Sequence, residues 1–220
     1  MSLRDQYYAR PAAAWVRGQV HEDGELPSDP EALERVLERG VAAGLASALH
    51  AFKRTAGLPR VTRALGIMRA LAPRELLDIG AGRGAFLWPL CDMLSDLAVT
   101  VIDRERHALP RVELARCGGL RVRALQADAT ELPFANDAFD VVTALEVLEH
   151  IPEVWRAAVE LVRVARRFVV VSVPSRDDDN PQHLRLLREP ELSALFLEAG
   201  AAGLRCEHVL NHLVAVIKVG

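Results

Sequence analysis

The chain of 220 residues has few cysteines and no long apolar run. Its three cysteines, Cys91, Cys117 and Cys206, are far apart and form no Cys-x-x-Cys pair, which argues against a disulfide framework and a zinc knuckle. No apolar run approaches the roughly 18 residues of a membrane span, and residues 1–10 are too polar for a signal peptide. We therefore expect a soluble, cytoplasmic protein with no membrane span.

Tyrosine and lysine are also scarce, and this scarcity excludes two classes of nucleotide-binding enzyme. The only tyrosines are Tyr7 and Tyr8, and the only lysines are Lys53 and Lys218. A catalytic Tyr-x-x-x-Lys pair is therefore impossible, which disfavours an NAD-dependent oxidoreductase. The chain contains no Gly-x-x-x-x-Gly-Lys sequence, which excludes a P-loop nucleoside triphosphatase.

Charge is unevenly distributed along the chain. The formal net charge of −3 excludes a globally basic nucleic-acid-binding protein. Residues 39–74 contain no acid and include seven cations: Arg39, Lys53, Arg54, Arg60, Arg63, Arg69 and Arg74. They could receive an anionic substrate, although the solvated faces of amphipathic helices are the simpler interpretation. Residues 124–155 contain acids and no Lys or Arg, so we expect this acidic belt to favour a positively charged ligand.

The first part of the chain is predicted to be helical. Asp29 followed by Pro30 is a typical helix start, and one continuous apolar stripe then follows at helical spacing: Leu33, Leu37, Val41, Leu45, Leu49 and Phe52. A second helix should open near Pro59 and end before Pro73, and residues 1–26 favour a coil or a short helix. We interpret residues 1–72 as a helical lid or cap region and residues 73–220 as the main domain.

A short apolar run that ends in three alternating glycines organises the rest of the chain. Residues 76–79 predict a buried strand with Asp78 near its end, and Gly80, Gly82 and Gly84 follow. Such glycines allow a tight turn that a ligand can approach closely, before a helix begins. The third glycine comes one position earlier than in the dinucleotide fingerprint, so the pattern indicates a different nucleotide-type cofactor.

Further strands predict the architecture. Runs at 98–102, 120–125, 139–144 and 168–173 alternate with helical stretches, as in an α/β doubly wound parallel sheet. Two final runs, 204–210 and 213–219, are separated by two residues and must form an antiparallel hairpin. The prediction is a seven-stranded, mostly parallel sheet with a reversed last strand and N-terminal helices. Four acids fall at its carboxyl edge, where ligands bind in such folds: Asp78, Asp103, Asp128 and Glu146.

At this point the chain resembles the class I S-adenosylmethionine-dependent methyltransferases, of the small-molecule type related to the enzymes of ubiquinone and menaquinone biosynthesis. The resemblance covers residues 73–220 and rests on motifs in a fixed order: Leu77-Asp78-Ile79-Gly80-Ala81-Gly82-Arg83-Gly84, then Asp103, Ala127-Asp128-Ala129-Thr130-Glu131-Leu132-Pro133-Phe134, Phe139-Asp140-Val141-Val142 and Glu146-Val147-Leu148-Glu149-His150-Ile151-Pro152. It implies a Rossmann-like methyltransferase fold, S-adenosyl-L-methionine as cofactor and S-adenosyl-L-homocysteine as product. It also implies a small-molecule acceptor and argues against a nucleic-acid partner.

The resemblance further assigns the cofactor-binding residues. It implies that Asp78 and the turn through Gly80, Ala81, Gly82 and Gly84 hold the methionine part, and that Leu145 and Glu146 flank its amino acid end. It places the ribose at Asp103 with Arg104 beside it, and the adenine at Asp128 and Ala129.

Three interpretations of Glu146, Glu149, His150 and His183 stay open. The first three would share one face if their stretch were helical. With His183 they could ligate a divalent metal, as in the metal-dependent O-methyltransferases of ubiquinone synthesis and of small-RNA 3′ ends, which the string resembles. Alternatively, His150 or His183 is a general base, the catalytic role that we favour over the metal. The third possibility is a structural helix start. A non-catalytic module that binds the cofactor is a further alternative for the whole chain.

Overall fold

The computed structural model describes residues 2–22, 24–54, 57–106, 109–176 and 180–220. Among these residues, five α-helices precede the first strand: α1 Leu3–Gln6, α2 Ala9–Gln19, α3 Pro30–Ala42, α4 Ala46–Leu49 and α5 Pro59–Leu71. The remaining elements are β1 Glu75–Ile79, α6 Leu87–Met93, β2 Ala98–Asp103, α7 Leu109–Cys117, β3 Val122–Gln126, β4 Phe139–Leu145, α8 Val154–Val164, β5 Ala165–Pro174, α9 Glu189–Glu198, β6 Gly203–Val209 and β7 His212–Lys218. None of the helices within these ranges is long and apolar enough to cross a membrane.

The strands form one sheet in the order β3-β2-β1-β4-β5-β7-β6. All neighbouring pairs from β3 to β5 are parallel, whereas β7 is antiparallel to both β5 and β6. The predicted doubly wound sheet with a reversed last strand is therefore confirmed.

The sheet is covered on both faces because its strands alternate between two cores. Leu76, Val141 and Val170 face one hydrophobic cluster, which includes side chains of α2, α3, α5, α6 and α7. Their neighbours Leu77 and Val142 face the other cluster, which includes side chains of α8 and α9. Burial on both faces explains why these strands are continuous apolar runs in the sequence.

Helix α2 lies inside the first core. Three consecutive alanines, Ala12 to Ala14, are fully buried, and the helix packs on α7. A Cβ at Gly18 would overlap the Leu114 carbonyl, and one at Gly118 would overlap the Ala14 carbonyl. The N-terminal helices thus share a core with the sheet, and their role as a lid stays a prediction.

Two sequence-based expectations are corrected by the structure. The stripe from Leu33 to Phe52 does not form one helix, because α3 ends in a left-handed turn at Gly44, where φ is +81°. There the Leu45 amide donates to the Gly40 carbonyl and the Gly44 amide to Val41, which are the two bonds of a Schellman cap. The acids of residues 124–155 also do not all lie at the carboxyl edge of the sheet. Asp140 accepts hydrogen bonds from the Arg74 and Glu75 amides at the opposite, amino-terminal edge.

Candidate functional site

A cavity of about 650 Å³ lies at the carboxyl ends of β1, β2 and β4 and beside the residues that follow β3. Eight of the predicted site residues line it: Gly80, Gly82, Asp103, Arg104, Asp128, Ala129, Glu146 and His150. The topology explains their meeting, since the carboxyl ends of parallel strands lie at one edge of the sheet.

The glycine turn forms the floor of this cavity. Gly80, Gly82 and Gly84 all have positive φ, between +51° and +82°, which side-chain-bearing residues rarely adopt. A Cβ at Gly80 would lie 2.7 Å from Cγ2 of Val147, whereas one at Gly84 would overlap the Trp88 indole. Gly80 therefore leaves room for Val147 at the cavity wall, and Gly84 leaves room for the Trp88 side chain. Helix α6 begins only at Leu87, so the turn is separated from the helix start.

Asp103 fixes the turn through both carboxylate oxygens. Its Oδ2 accepts a hydrogen bond from the Gly82 amide at 3.2 Å, and its Oδ1 accepts one from the Glu105 amide at 2.9 Å. A carboxylate has about four acceptor positions, so two remain for a ligand. Asp103 therefore holds the glycine turn in place and still has acceptor positions for a ligand at the end of β2.

Asp128 also lines the cavity, in a tight turn that follows β3. Its Oδ1 accepts bonds from the amide of Thr130 at 2.9 Å and from the Thr130 hydroxyl at 2.7 Å. These bonds, together with the positive charge of Arg104, hold the pKa of Asp128 below its ordinary value. Asp128 is therefore ionised, and the adjacent Ala129 is buried against the second core.

Acidic side chains dominate the cavity wall. Five of the described lining residues are acids, namely Asp103, Glu105, Asp128, Glu146 and Glu153, against one arginine, Arg104. Such an excess of negative charge in a concave site favours a positively charged ligand.

Asp78 lies behind the turn and does not line the cavity. Its side chain is 3% exposed, Oδ1 accepts a 2.7 Å bond from the Thr143 hydroxyl, and Oδ2 is buried without a hydrogen bond among the described residues. Burial raises the pKa of Asp78 to about 7, the Thr143 bond opposes this rise, and the Asp103 charge adds to it.

Glu146 is held by residues that sequence reasoning missed. It has a φ of +58°, and its Oε1 accepts a 2.6 Å bond from the Ser172 hydroxyl. Nε of Arg60 lies 3.7 Å from Oε1, and Nε2 of His212 lies 3.1 Å from Oε2. These partners come from β5, α5 and β7, so only the pairing of distant elements brings them together.

The predicted cluster of Glu149, His150 and His183 does assemble, but Glu146 does not join it. One ligand atom from each of the three residues lies within 4.8 Å of the others, and the imidazole centroids are 4.8 Å apart. The reason is that Leu148–His150 is a single 3-10 turn and Glu146 precedes it, so the helical face assumed from the sequence does not exist. Glu149 is fully buried, and His150 lines the cavity.

Not every predicted residue reaches the cavity wall. Ala81 and Leu145 pack against the first core, and His183, which is not among the lining residues, contacts His150 edge-on. Sequence reasoning also missed several wall residues, chiefly the apolar Ile102, Val147 and Ile151 and the polar Gln182. Apolar wall residues resemble ordinary core residues in a sequence, so no pattern singled them out.

The strand order with one reversed strand, and the cavity at the carboxyl edge, define a Rossmann-like methyltransferase fold. Solved structures share it: a possible histamine N-methyltransferase of Thermotoga maritima is 19% identical with a TM-score of 0.59, over 83% of this chain and 98% of that one. The methyltransferase domain of the bacterial protein CtHen1-C is 18% identical with a TM-score of 0.61, over 74% of this chain and 97% of that one.

Sequence comparison finds similarity to methyltransferases over part of the chain. Residues 77–170 match the family described as a methyltransferase domain. A probable S-adenosylmethionine-dependent methyltransferase of Mycobacterium tuberculosis is 31% identical over 61% of this chain and 52% of its own length. An uncharacterized methyltransferase of Mycobacterium sp. strain JLS is 39% identical over 42% of this chain and 35% of its own length. Part of the chain is therefore similar to S-adenosylmethionine-dependent methyltransferases, and the chain spans only about a third to a half of the length of these curated relatives.

Proposed function

We propose that the protein binds S-adenosylmethionine in the carboxyl-edge cavity and transfers its methyl group to a small-molecule acceptor. The observation that carries the proposal is the acidic cavity built on the glycine turn, with Asp103 and Asp128 at the ends of the adjacent strands β2 and β3. The cofactor combines a nucleoside with a sulfonium and an ammonium group, so its charge suits this wall. Behind the turn, the buried Oδ2 of Asp78 has no hydrogen bond among the described residues.

Each part of the cofactor has a candidate partner. The free acceptor positions of Asp103 suit the two ribose hydroxyls, with Arg104 beside them. The ionised Asp128 suits the exocyclic amine of adenine, and the Ala129 backbone lies next to it. The turn from Gly80 to Gly84, with Ala81 and Gly82, would hold the methionine part between Asp78 on one side and Leu145 and Glu146 on the other.

When bound, the sulfonium supplies an activated methyl group and a good leaving group. The protein has to hold the acceptor atom in line with the methyl group and exclude water. Such alignment can lower a barrier by ~7–11 kcal/mol, so a dedicated base is optional.

His150, which His183 contacts, is our candidate proton acceptor for a hydroxyl nucleophile. Nδ1 of His150 lies 3.0 Å from the Gln182 carbonyl, which can only accept, so this contact places the proton on Nδ1. Nε2 is then the basic nitrogen, and His150 lines the cavity. His183, whose Nε2 lies 2.9 Å from Nδ2 of Asn180, packs edge-on against His150 and would orient it.

A metal-assisted variant of the same reaction is favoured by one observation, the convergence of Glu149, His150 and His183. One carboxylate and two imidazoles suit Zn²⁺, Mn²⁺ or Fe²⁺. These three residues would hold the ion, and it would act as a Lewis acid on the acceptor oxygen.

The metal variant predicts that Mn²⁺ binds the metal-free protein, as titrated by electron paramagnetic resonance, and that Glu149→Gln weakens this binding. Glu153→Gln, which removes a charge from the cavity wall outside the cluster, is the matched control. Equal Mn²⁺ binding by the unaltered protein and both substituted proteins, or no binding by any of them, would rule out the metal-assisted reaction.

The proposal itself is tested by calorimetric titration with S-adenosylmethionine, S-adenosylhomocysteine and NAD. We expect the first two to bind and NAD to bind far more weakly, and a preference for NAD would defeat the proposal. Radiolabelled methyl transfer to small-molecule and RNA fractions of a cell extract then separates an enzyme from a non-catalytic binding module.

A single substitution tests the nucleoside end of the site. Asp103→Asn removes the charge that both accepts from the Gly82 amide and would accept the ribose hydroxyls, so S-adenosylhomocysteine should bind roughly 10- to 100-fold more weakly. Asp96→Asn, which neutralises an exposed acid just before β2, should leave the dissociation constant unchanged. Equal binding by both variants would exclude Asp103 from the site.

A further inference from the structure

A second cavity, of about 580 Å³, lies at the amino-terminal ends of β1 to β4, at the opposite edge of the sheet from the first. It exists because the connection between β3 and β4 contains no helix. Residues 127–138 cross back over the sheet as an irregular segment, and only its last part, 133–138, covers the corner formed by β2 and β3. This corner therefore lacks the helical layer that covers the rest of that face.

The side chains that point into this corner are polar where a covered sheet would carry apolar ones. Thr100 on β2 and Arg123 on β3 are paired in register, and Nε of Arg123 donates a 2.7 Å bond to the Thr100 hydroxyl oxygen. Thr100 is 5% exposed, whereas its neighbours Val99 and Val101 belong to the opposite, apolar core. The side chains of Thr100 and Arg123 therefore make this part of the cavity wall polar.

Three arginines surround the cavity, and each is fixed by one of its nitrogens. Nε of Arg123 is bound by Thr100, NH1 of Arg121 donates to the Asp96 carbonyl at 2.9 Å, and Nε of Arg116 donates to Glu113 at 2.7 Å. In all three the other guanidinium nitrogens have no hydrogen bond to oxygen among the described residues. Guanidinium groups that are already oriented lose less freedom when they bind an anion.

The rest of the wall is apolar and aromatic. Phe134 and Phe139 meet edge to face with their centroids 5.0 Å apart, and Phe134 is partly exposed. Ala98, Pro133 and Ala138 complete the apolar part, and Glu75 is the one acid among the described lining residues. Because Glu113 pairs with Arg116, two arginines face one carboxylate, which leaves the wall positively charged.

We propose that this second cavity binds a small planar aromatic anion, with its ring against Phe134 and its carboxylate, sulfonate or phosphate group on Arg121 and Arg123. The two cavities have opposite character, since the first is lined by acids and the second by arginines. The proposal does not rest on the proposed function, because it involves none of the residues assigned to the cofactor.

The test uses naphthalene-2-sulfonate as the probe and its neutral analogue, naphthalene-2-sulfonamide, in calorimetric titrations of the full chain. We expect the sulfonate to bind with a stoichiometry of about one and the sulfonamide to bind much more weakly, because charge-assisted bonds to Arg are the stronger ones. Binding should persist when the protein is saturated with S-adenosylhomocysteine.

Arg123→Gln and Arg121→Gln should each weaken sulfonate binding about tenfold, the loss of one charge-assisted contact. Arg188→Gln makes the same change of charge at an exposed position just before α9 and should bind the probe as the unaltered protein does. Arg121 is exposed, so its variant keeps the test valid even if Arg123→Gln disturbs the fold.

Equal binding of sulfonate and sulfonamide, or equal losses in all three variants, would overturn the proposal. Competition with S-adenosylhomocysteine would place the probe in the cofactor cavity and would overturn it too. If the sulfonate does not bind while S-adenosylhomocysteine does, the second cavity is not an anion site and the proposed function stands.

Discussion

Asp78 illustrates how burial sets the behaviour of a single side chain. Its pKa of about 7 in the folded protein lies well above the ordinary value of 3.8, because the carboxylate loses its contact with water. The folded state therefore holds a proton between about pH 4 and 7 that the unfolded chain has released. Stability from this group is complete below pH 4 and is lost as the pH rises towards 7.

We predict that Asp78→Asn removes this pH dependence. The free energy of unfolding of the unaltered protein should fall relative to that of the variant by up to about 1.4 kcal/mol for each pH unit between 4 and 7, and the difference should level off above pH 7. Urea denaturation of both proteins at intervals of half a pH unit measures this difference in the free energy of unfolding. A constant difference across this range would mean that Asp78 is ionised in the folded state.

Among individual residues, the sequence best predicted those that lie next to the end of a strand. Asp103 is the last residue of β2 and Asp128 lies two residues beyond the end of β3, so the end of each apolar run predicted their place at the edge of the sheet. Glu146 also lies at the end of a strand, β4, but its partners Arg60, Ser172 and His212 belong to elements that are distant in the sequence. Only the order of the strands and the docking of α5 determine such contacts.

At the scale of elements, the contact of α2 with α7 depends on two glycines. Gly18→Ala should destabilise the protein by about 1–3 kcal/mol, because the added methyl group would overlap the Leu114 carbonyl and push the helices apart. Thermal and urea unfolding measure the change.

Gly66→Ala is the matched control. Gly66 lies within α5, and a Cβ there would meet nothing within 4 Å, so the same substitution should stabilise the helix by up to about 1 kcal/mol. Effects of the same sign in both variants would contradict the packing that we describe.

Helix α2 also shows why element prediction was incomplete. Its buried face consists largely of alanines, which give a weak hydrophobic period, so the sequence favoured only a coil or a short helix. The end of α3 was missed for the opposite reason: the apolar spacing continued through Gly44, although the backbone reverses there. A glycine inside a regular pattern marks a possible end, and tertiary packing decides whether the helix stops.

At the scale of the whole molecule, we predict a single cooperative unfolding transition. Trp15 on α2 and Trp88 on α6 both contact Phe52, at centroid distances of 5.8 and 4.8 Å, so the N-terminal helices and the sheet share one aromatic core. Tryptophan fluorescence and far-ultraviolet circular dichroism should therefore give the same midpoint in urea. Two separate midpoints would show that residues 1–72 unfold independently.

The direction of β7 has a practical consequence. Because this strand runs opposite to its neighbour β5, it starts at His212 beside the acidic cavity and carries the chain back to the far edge. A biotin or a surface linker attached at Gly220 would accordingly leave the carboxyl-edge cavity facing the solution. The same anchor would hold the arginine-lined end of the sheet near the support, so an immobilised-protein assay should be calibrated against titrations in free solution before it is used for the naphthalene probe.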